Sequence, residues 1–143
     1  MMKRSDFEIM APVGSYDSLT AAIQGGADSV YFGIEGLNMR ARSSNNFTID
    51  DLHEIVRICN EHHIKSYLTV NTVIYDEDIP LLHRIIDAAK EAGLSAIIAS
   101  DVAAMTYARE IGVEVHLSTQ LNISNTEAVS YTHLRAHETR HDL

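Results

Sequence analysis

The segment Gly25-Gly-Ala-Asp-Ser-Val-Tyr-Phe-Gly33 predicts, in order, the end of a helix, a short turn, a strand and a small residue. The segment Ala92-Gly-Leu-Ser-Ala-Ile-Ile-Ala-Ser100 repeats that order further along the chain. Two copies of one unit indicate an array in which strands alternate with helices. Such an array predicts an α/β fold with a parallel sheet and right-handed crossovers.

The alternation extends outward from these two segments in both directions. Apolar runs bounded by turn residues predict strands at 7–11, 29–33, 65–70, 96–100 and 113–117. Helical periodicity predicts helices from the Ser15 cap to about Gly25, from Thr48 onward, at 76–92 and at 101–111, with a fifth beginning near Asn125. Thr48-Ile-Asp-Asp51 predicts a capping box in which Asp replaces the usual Glu.

Two parallel architectures fit this order of elements: an open, doubly wound sheet and a closed barrel. The turn after the first strand, Ala11-Pro-Val-Gly-Ser15, holds one glycine and lacks a glycine-rich phosphate fingerprint. Polar residues follow strand after strand, and in a barrel such residues share one rim, where active sites lie. We therefore predict the N-terminal part, about five βα units, of a TIM-type (β/α)8 barrel, which in whole needs roughly 250 residues.

Composition narrows the classes of function. The 143 residues carry a formal net charge of −9, which disfavours general binding to nucleic acid or to a membrane surface. The single cysteine excludes a disulfide within the chain. The sequence has no long apolar run of the kind that would predict a signal peptide or a membrane span. We expect a cytoplasmic protein without a membrane partner.

The candidate substrate-binding residues are the polar side chains at the predicted rim. They are Asn38, Arg40, Arg42, Asn71, Ser100, Asp101, His116, Ser118, Gln120 and Asn122. The two arginines suit a carboxylate or phosphate through paired donors, or are simply solvated. Asn71 suits ligand orientation and a turn equally.

The fifth strand predicts an alternation of faces. Residues at alternate positions face the helices (Val113, Val115 and Leu117), and the residues between them face the barrel axis (Glu114, His116 and Ser118). His116 is a candidate general base or a core histidine with its hydrogen bonds satisfied, and the second reading is favoured. Ser118 has no identifiable base beside it, so no catalytic residue is assigned.

The tail contains His137-Glu-Thr-Arg-His141, which matches the H-E-x-x-H zinc-protease motif. The sequence ends at Leu143 without a third ligand, so we predict no metal site here. Residues 130–143 also lose the apolar periodicity and resemble the translated read-through of a sequencing-library adapter. We interpret 1–129 as a partial barrel and 130–143 as a non-native tail; a natural reading frame through codon 143 would contradict this interpretation.

Several stretches of the sequence together resemble peptidase family U32, the collagenase-like peptidases. The resemblance rests on Met10-Ala-Pro-Val-Gly-Ser15, Gly26-Ala-Asp-Ser-Val-Tyr-Phe-Gly33, Asn38-Met-Arg-Ala-Arg42, Phe47-Thr48, Leu68-Thr-Val-Asn-Thr72, Ile98-Ala-Ser-Asp101 and His116-Leu-Ser-Thr-Gln-Leu-Asn122. These stretches follow one another over about 129 residues, and the family's barrel is similar to the architecture predicted above.

The resemblance implies two competing activities for a longer parent protein. One is metal-dependent proteolysis of collagen-like substrates; the other is oxygen-independent hydroxylation of nucleosides in tRNA or rRNA, or of ubiquinone precursors. Relatives of the second kind use downstream cysteines, in several cases to hold an iron–sulfur cluster, so we expect no cofactor in this chain itself. The expected partners are an RNA or small-molecule substrate of the parent. We favour hydroxylation for the parent and an inactive chain that self-associates through its open strand edge.

Overall fold

The computed structural model describes residues 2–36, 47–118 and 125–127. The described elements alternate between strands and helices along the chain. They are β1 (Met10–Pro12), α1 (Tyr16–Gln24), β2 (Ser29–Gly33), α2 (Ile49–Glu61), β3 (Lys65–Val70), α3 (Ile79–Ala92), β4 (Ala96–Ala99), α4 (Val102–Ile111) and β5 (Val115–Leu117).

The sheet follows the order of the sequence without a reversal. Its strands lie in the order β1-β2-β3-β4-β5, and every neighbouring pair is parallel. Right-handed crossovers that always step in the same direction place all their helices on one face of a sheet. A doubly wound sheet requires a reversal of order. The predicted parallel α/β fold is therefore confirmed, and the described strands are consistent with a partial barrel.

The hydrophobic core lies between the sheet and this single layer of helices. Strand residues at alternate positions, such as Phe32, Leu68 and Ile97, join one buried cluster with Leu52 and Ile86 of the helices. Residues at the intervening positions, such as Tyr31, Thr69 and Ile98, lie outside that cluster. The second face of the sheet therefore corresponds to the inside of a barrel, and we call it the axis face.

The face alternation predicted for β5 agrees with the register, although Leu117, opposite the buried Ala99, is 38% exposed. Val115 pairs with the buried Ile97 and packs against the core, whereas His116 pairs with Ile98 on the axis face.

β1 differs from its predicted range of 7–11. The backbone N–H of Ile9 donates to Oδ2 of Asp28 at 2.7 Å, and the Ile9 carbonyl accepts from Asp28 and Ser29, so this residue bonds to the turn before β2. Strand pairing begins only at Met10 and continues through Pro12. Within the described sheet, β1 pairs with β2 alone, so its other side is an open edge. Pro12 is tolerated there because a missing N–H at an open edge breaks no hydrogen bond between strands.

The third helix begins later than the predicted residue 76. Pro80 has no N–H to donate to the carbonyl four residues earlier, so an α-helix cannot run through Asp76. The chain instead forms a short 3₁₀ turn at Asp76–Asp78, and α3 begins at Ile79 with proline in its first turn.

β5 is also shorter than predicted, because Val113 belongs to the end of α4. Gly112 has φ +87°, the left-handed conformation typical of a helix C-terminus, and the N–H of Val113 donates to the Ala108 carbonyl at 2.7 Å. Val113 is thereby committed to the helix cap, and strand pairing starts at Val115.

The predicted caps of the first two long helices are present. The Ser15 hydroxyl accepts from the N–H of Ser18, and the Asp51 carboxylate accepts from the N–H of Thr48 at 2.9 Å. The Tyr16 hydroxyl donates to Asp51 at 2.8 Å, which joins the start of α1 to the start of α2.

Three predictions lie wholly or mostly outside the described residues: the loop segment 37–46, most of the fifth helix, and the tail 130–143. Within the described ranges, no helix combines the length and apolar character needed to cross a membrane.

Burial predicts slow chemistry at the one cysteine. The Cys59 side chain is fully buried among the core residues of α2, and burial raises the pKa of its thiol to about 11. Because the thiolate is the reactive form, we expect labelling by a disulfide reagent at about pH 8 to be at least ~100-fold slower than for free cysteine. Denaturant should restore the free rate; rapid labelling of the native chain would contradict the predicted burial.

Candidate functional site

The carboxyl ends of the five parallel strands form one edge of the sheet, as predicted for the rim. Four of the candidate residues lie at this edge in the described structure: Asn71, Ser100, Asp101 and Ser118. The other rim candidates, Asn38, Arg40, Arg42, Gln120 and Asn122, lie outside the described residues.

Asp101 holds two elements of the rim together. Its Oδ1 accepts from the N–H of Ala103 at 2.8 Å and caps α4, while its Oδ2 lies 3.4 Å from the N–H of Ile74. The second contact fastens the β3–α3 connection to the start of α4. Both carboxylate oxygens are therefore committed to the fold, and Asp101 acts as a positioning residue.

Removal of this carboxylate should destabilise the chain. We expect Asp101→Ala to lower the free energy of unfolding by about 1–2 kcal/mol, because the α4 cap and the tether to Ile74 are both lost. Asp101→Asn keeps a capping oxygen and should cost less than half as much. Urea unfolding of both variants measures the difference; equal loss in both would show that the cap is not the cause.

Asn71 presents an acceptor with no partner. The residue is partly buried directly after β3, and its Oδ1 is buried without a hydrogen-bond partner among the described residues. A buried carbonyl oxygen left unpaired costs on the order of 1–3 kcal/mol, so a ligand group at this position would recover a penalty that the free chain bears. The Ser29 and Ser66 hydroxyl oxygens are also unpaired, but they lie at the amino half of the sheet, away from the rim.

The two rim serines extend this polar edge. Ser118 is 8% exposed, and its N–H donates to the Ala99 carbonyl at 2.8 Å, which holds it beside the end of β4. Ser100 is partly buried between β4 and α4. Together with Asn71 they give the described rim neutral donors and acceptors that can orient a polar substrate.

His116 is placed on the axis face rather than at the rim. Its ring lies 5.1 Å from the Tyr67 ring, and its Nε2 is 3.2 Å from Oε1 of Glu114, toward the amino end of β5. The histidine therefore contacts a tyrosine and a carboxylate within the sheet.

Tyr67 is a buried polar residue that is not among the candidate residues predicted from the sequence. It is 3% exposed on the axis face, and its hydroxyl donates to Oε1 of Glu8 at 3.3 Å. The same Glu8 oxygen lies 3.7 Å from Nζ of Lys65. Burial first, and then the charge of Glu8, raises the pKa of the Tyr67 phenol. The alternation of Lys65–Val70 could have predicted this position, since it places Lys65, Tyr67 and Thr69 on one face.

In the part of the chain that the structure describes, no three histidine, cysteine or acidic side chains are grouped to hold a metal ion. The H-E-x-x-H motif at 137–141 lies outside that part.

A singly wound parallel sheet with helices on one face is the arrangement of a partial β/α barrel. Within this class, the chain belongs to peptidase family U32, whose family model matches residues 14–137. The match includes 130–137, the first part of the predicted non-native tail.

Relatives in the family carry two kinds of name. The chain is 74% identical, over 91% of its length, to a collagenase of Porphyromonas gingivalis, of which it covers 31%. It is 33% identical, over 87% of its length, to tRNA hydroxylation protein P1 of Bacillus subtilis, of which it covers 30%. The chain thus spans about a third of the length of these curated relatives.

A solved structure supports the fold alone. The U32 peptidase Mk0906 superposes with a TM-score of 0.56 at 10% sequence identity, over 82% of this chain and 50% of that one.

Proposed function

We propose that this chain is the substrate-positioning part of a U32 enzyme whose whole protein hydroxylates nucleosides in RNA. The observation that carries the proposal is the buried Oδ1 of Asn71 at the carboxyl edge, which has no hydrogen-bond partner among the described residues. Barrel enzymes bind their substrates at this edge. A side-chain amide both donates and accepts, which suits the hydrogen-bonding edge of an unpaired base.

The likeness to the tRNA hydroxylation protein of Bacillus subtilis supports this choice of substrate class. The formal net charge of −9 implies that contacts to RNA phosphates come from other parts of the whole protein. In this proposal the described rim orients one base, and a basic surface elsewhere supplies the affinity for the RNA strand.

The described rim supplies binding groups rather than proton transfer. The Asp101 carboxylate is occupied by two backbone N–H groups, and the His116 ring lies against Tyr67 away from the rim. We therefore propose that the 143 residues bind substrate groups but do not complete a reaction alone.

An iron–sulfur cluster, which the resemblance implies for several relatives, does not fit the residues of this chain. Cluster binding needs several thiolates, whereas Cys59 is the one cysteine and is fully buried in the core. We assign the cluster no role in this chain and derive no step through it.

Proteolysis of collagen-like protein is the second candidate, and a specific observation favours it. This chain is 74% identical to the collagenase of Porphyromonas gingivalis, but 33% identical to the tRNA hydroxylation protein of Bacillus subtilis. The same neutral rim groups could hold a peptide backbone, because amide and hydroxyl groups pair with peptide N–H and C=O.

Two assays separate these candidates. Mass spectrometry of nucleosides from a strain that lacks the full-length gene should show a hydroxylated uridine or cytidine lost from tRNA or rRNA. The purified full-length protein should release no fragments from denatured collagen. An unchanged nucleoside profile together with cleaved collagen would replace the first proposal with the second.

The open edge of the sheet supports self-association of the chain when it is alone. β1 pairs only with β2 among the described strands, and Ile9 and Met10 beside this edge are 47% and 38% exposed. An unpaired strand edge is a template for a further strand. We expect size-exclusion chromatography with light scattering to show a concentration-dependent dimer or larger species; a monomer at all concentrations would contradict this expectation.

A further inference from the structure

Three apolar side chains are exposed at the carboxyl edge. Val73 is 67% exposed, Tyr75 64% and Val102 54%. Val73 and Tyr75 lie in the β3–α3 connection, and Val102 is the first residue of α4. The contact between the N–H of Ile74 and Asp101 brings the connection against the start of α4, and we call the three exposed residues together the rim patch.

The backbone that presents the rim patch is held in place by hydrogen bonds. The N–H of Tyr75 donates to Oδ2 of Asp78 at 2.9 Å, and the N–H of Asp78 donates to the Tyr75 carbonyl at 2.9 Å. Ile74, between the two exposed residues, packs against the core. These backbone contacts hold Val73 and Tyr75 in exposed positions. Exposed apolar side chains that lie close together are typical of interaction sites.

The charges next to the rim patch are of one sign. The exposed side chains of Asp76 and Glu77 directly follow Tyr75. The sequence has no Lys or Arg between Lys65 and Arg84, and among the described residues neither Asp76 nor Glu77 forms a salt bridge. A partner that brings positive charge would therefore complement the patch.

We propose that the rim patch binds a basic segment of a partner protein. In this arrangement, Lys or Arg side chains pair with Asp76 and Glu77 and lie over the Tyr75 ring, and an apolar neighbour covers Val73 and Val102. A cation over a tyrosine face and a charge-assisted hydrogen bond to a carboxylate reinforce each other. RNA is disfavoured, because a base could stack on Tyr75 only if its phosphates approached two carboxylates.

The rim patch stands apart from the proposed function. Asn71 and the rim serines carry the substrate proposal, whereas Tyr75 and its acidic neighbours carry this one. Failure of nucleoside hydroxylation would leave the surface and its chemistry as they are.

Fluorescence anisotropy with the 143-residue chain tests the proposal. The probes are a labelled peptide of alternating Arg and Leu, the same peptide with Glu in place of Arg, and single-stranded oligouridine. We expect the Arg-Leu peptide alone to bind, and its affinity to fall with salt. Tyr75→Ala and the double variant Asp76→Asn/Glu77→Gln should each weaken it at least ~10-fold, and Tyr75→Phe, which keeps the ring face, less than about 3-fold.

A matched double variant controls for net charge. Glu91→Gln/Glu110→Gln removes the same two charges from the last turns of α3 and α4, at the opposite edge of the sheet, and should change the affinity less than about 2-fold. Circular dichroism confirms that each variant is folded. Equal weakening by the two double variants, no effect of Tyr75→Ala, or tighter binding of oligouridine than of the peptide would each overturn the proposal.

Discussion

Replacing Leu68 with alanine is expected to lower the free energy of unfolding by about 3 kcal/mol, within the range of 2–5 kcal/mol for buried leucines. Leu68 has no exposed surface, and it pairs with Phe32 on one side and Ile97 on the other. Removing its branched end leaves a cavity between the central strand and the helices, which neighbours on two strands cannot fill. A domain of this size is stable by only about 5–15 kcal/mol, so much of its stability depends on this contact.

Urea unfolding measures the effect, with Val73→Ala as the matched control. Val73 is 67% exposed, so its truncation should change stability by less than about 0.5 kcal/mol. A loss below about 1 kcal/mol for Leu68→Ala would contradict a core that lies between the sheet and one helical layer.

Replacing Asn71 with leucine is expected to separate function from stability. In the full-length protein, the proposed function predicts that kcat/KM falls at least ~10-fold, because Asn71 is the amide proposed to orient the substrate. In the 143-residue chain the same change should leave the unfolding free energy equal or about 1 kcal/mol higher, because a buried, unpaired oxygen is removed.

Asn60→Leu is the control for this second variant. Asn60 is exposed near the end of α2, at the opposite edge of the sheet, so the same chemical change should leave kcat/KM within about 2-fold. A full-length Asn71→Leu enzyme with unchanged kcat/KM would exclude Asn71 from the substrate site.

The order of strands and helices was predictable from the sequence because local signals agree with the tertiary contacts. Ser15 and Thr48 begin helices through their own capping bonds, and Gly93 and Gly112 end helices in left-handed conformations. These bonds form within a few residues, so the sequence pattern determines them directly.

Boundaries that depend on distant partners were not predictable in the same way. The start of β1 depends on the bond from Ile9 to Asp28, nineteen positions along the chain, and no local pattern indicates it. The site shows the same division. The position of Asn71 at the rim was predictable because a strand end is a local signal. The contacts of Asp101 and Tyr67 were not, because they involve Ile74 and Glu8, which lie in other elements.

Complementation most directly tests the central claim that this chain carries the substrate-positioning part of an RNA-hydroxylating enzyme. A strain lacking the full-length gene would receive that gene or the 143-residue chain, and hydroxylated nucleosides in its tRNA and rRNA would be measured by mass spectrometry. We predict that the full-length gene restores the missing nucleoside and that the 143-residue chain does not. Restoration by the 143-residue chain alone, or a deletion strain that lacks no hydroxylated nucleoside, would contradict the account.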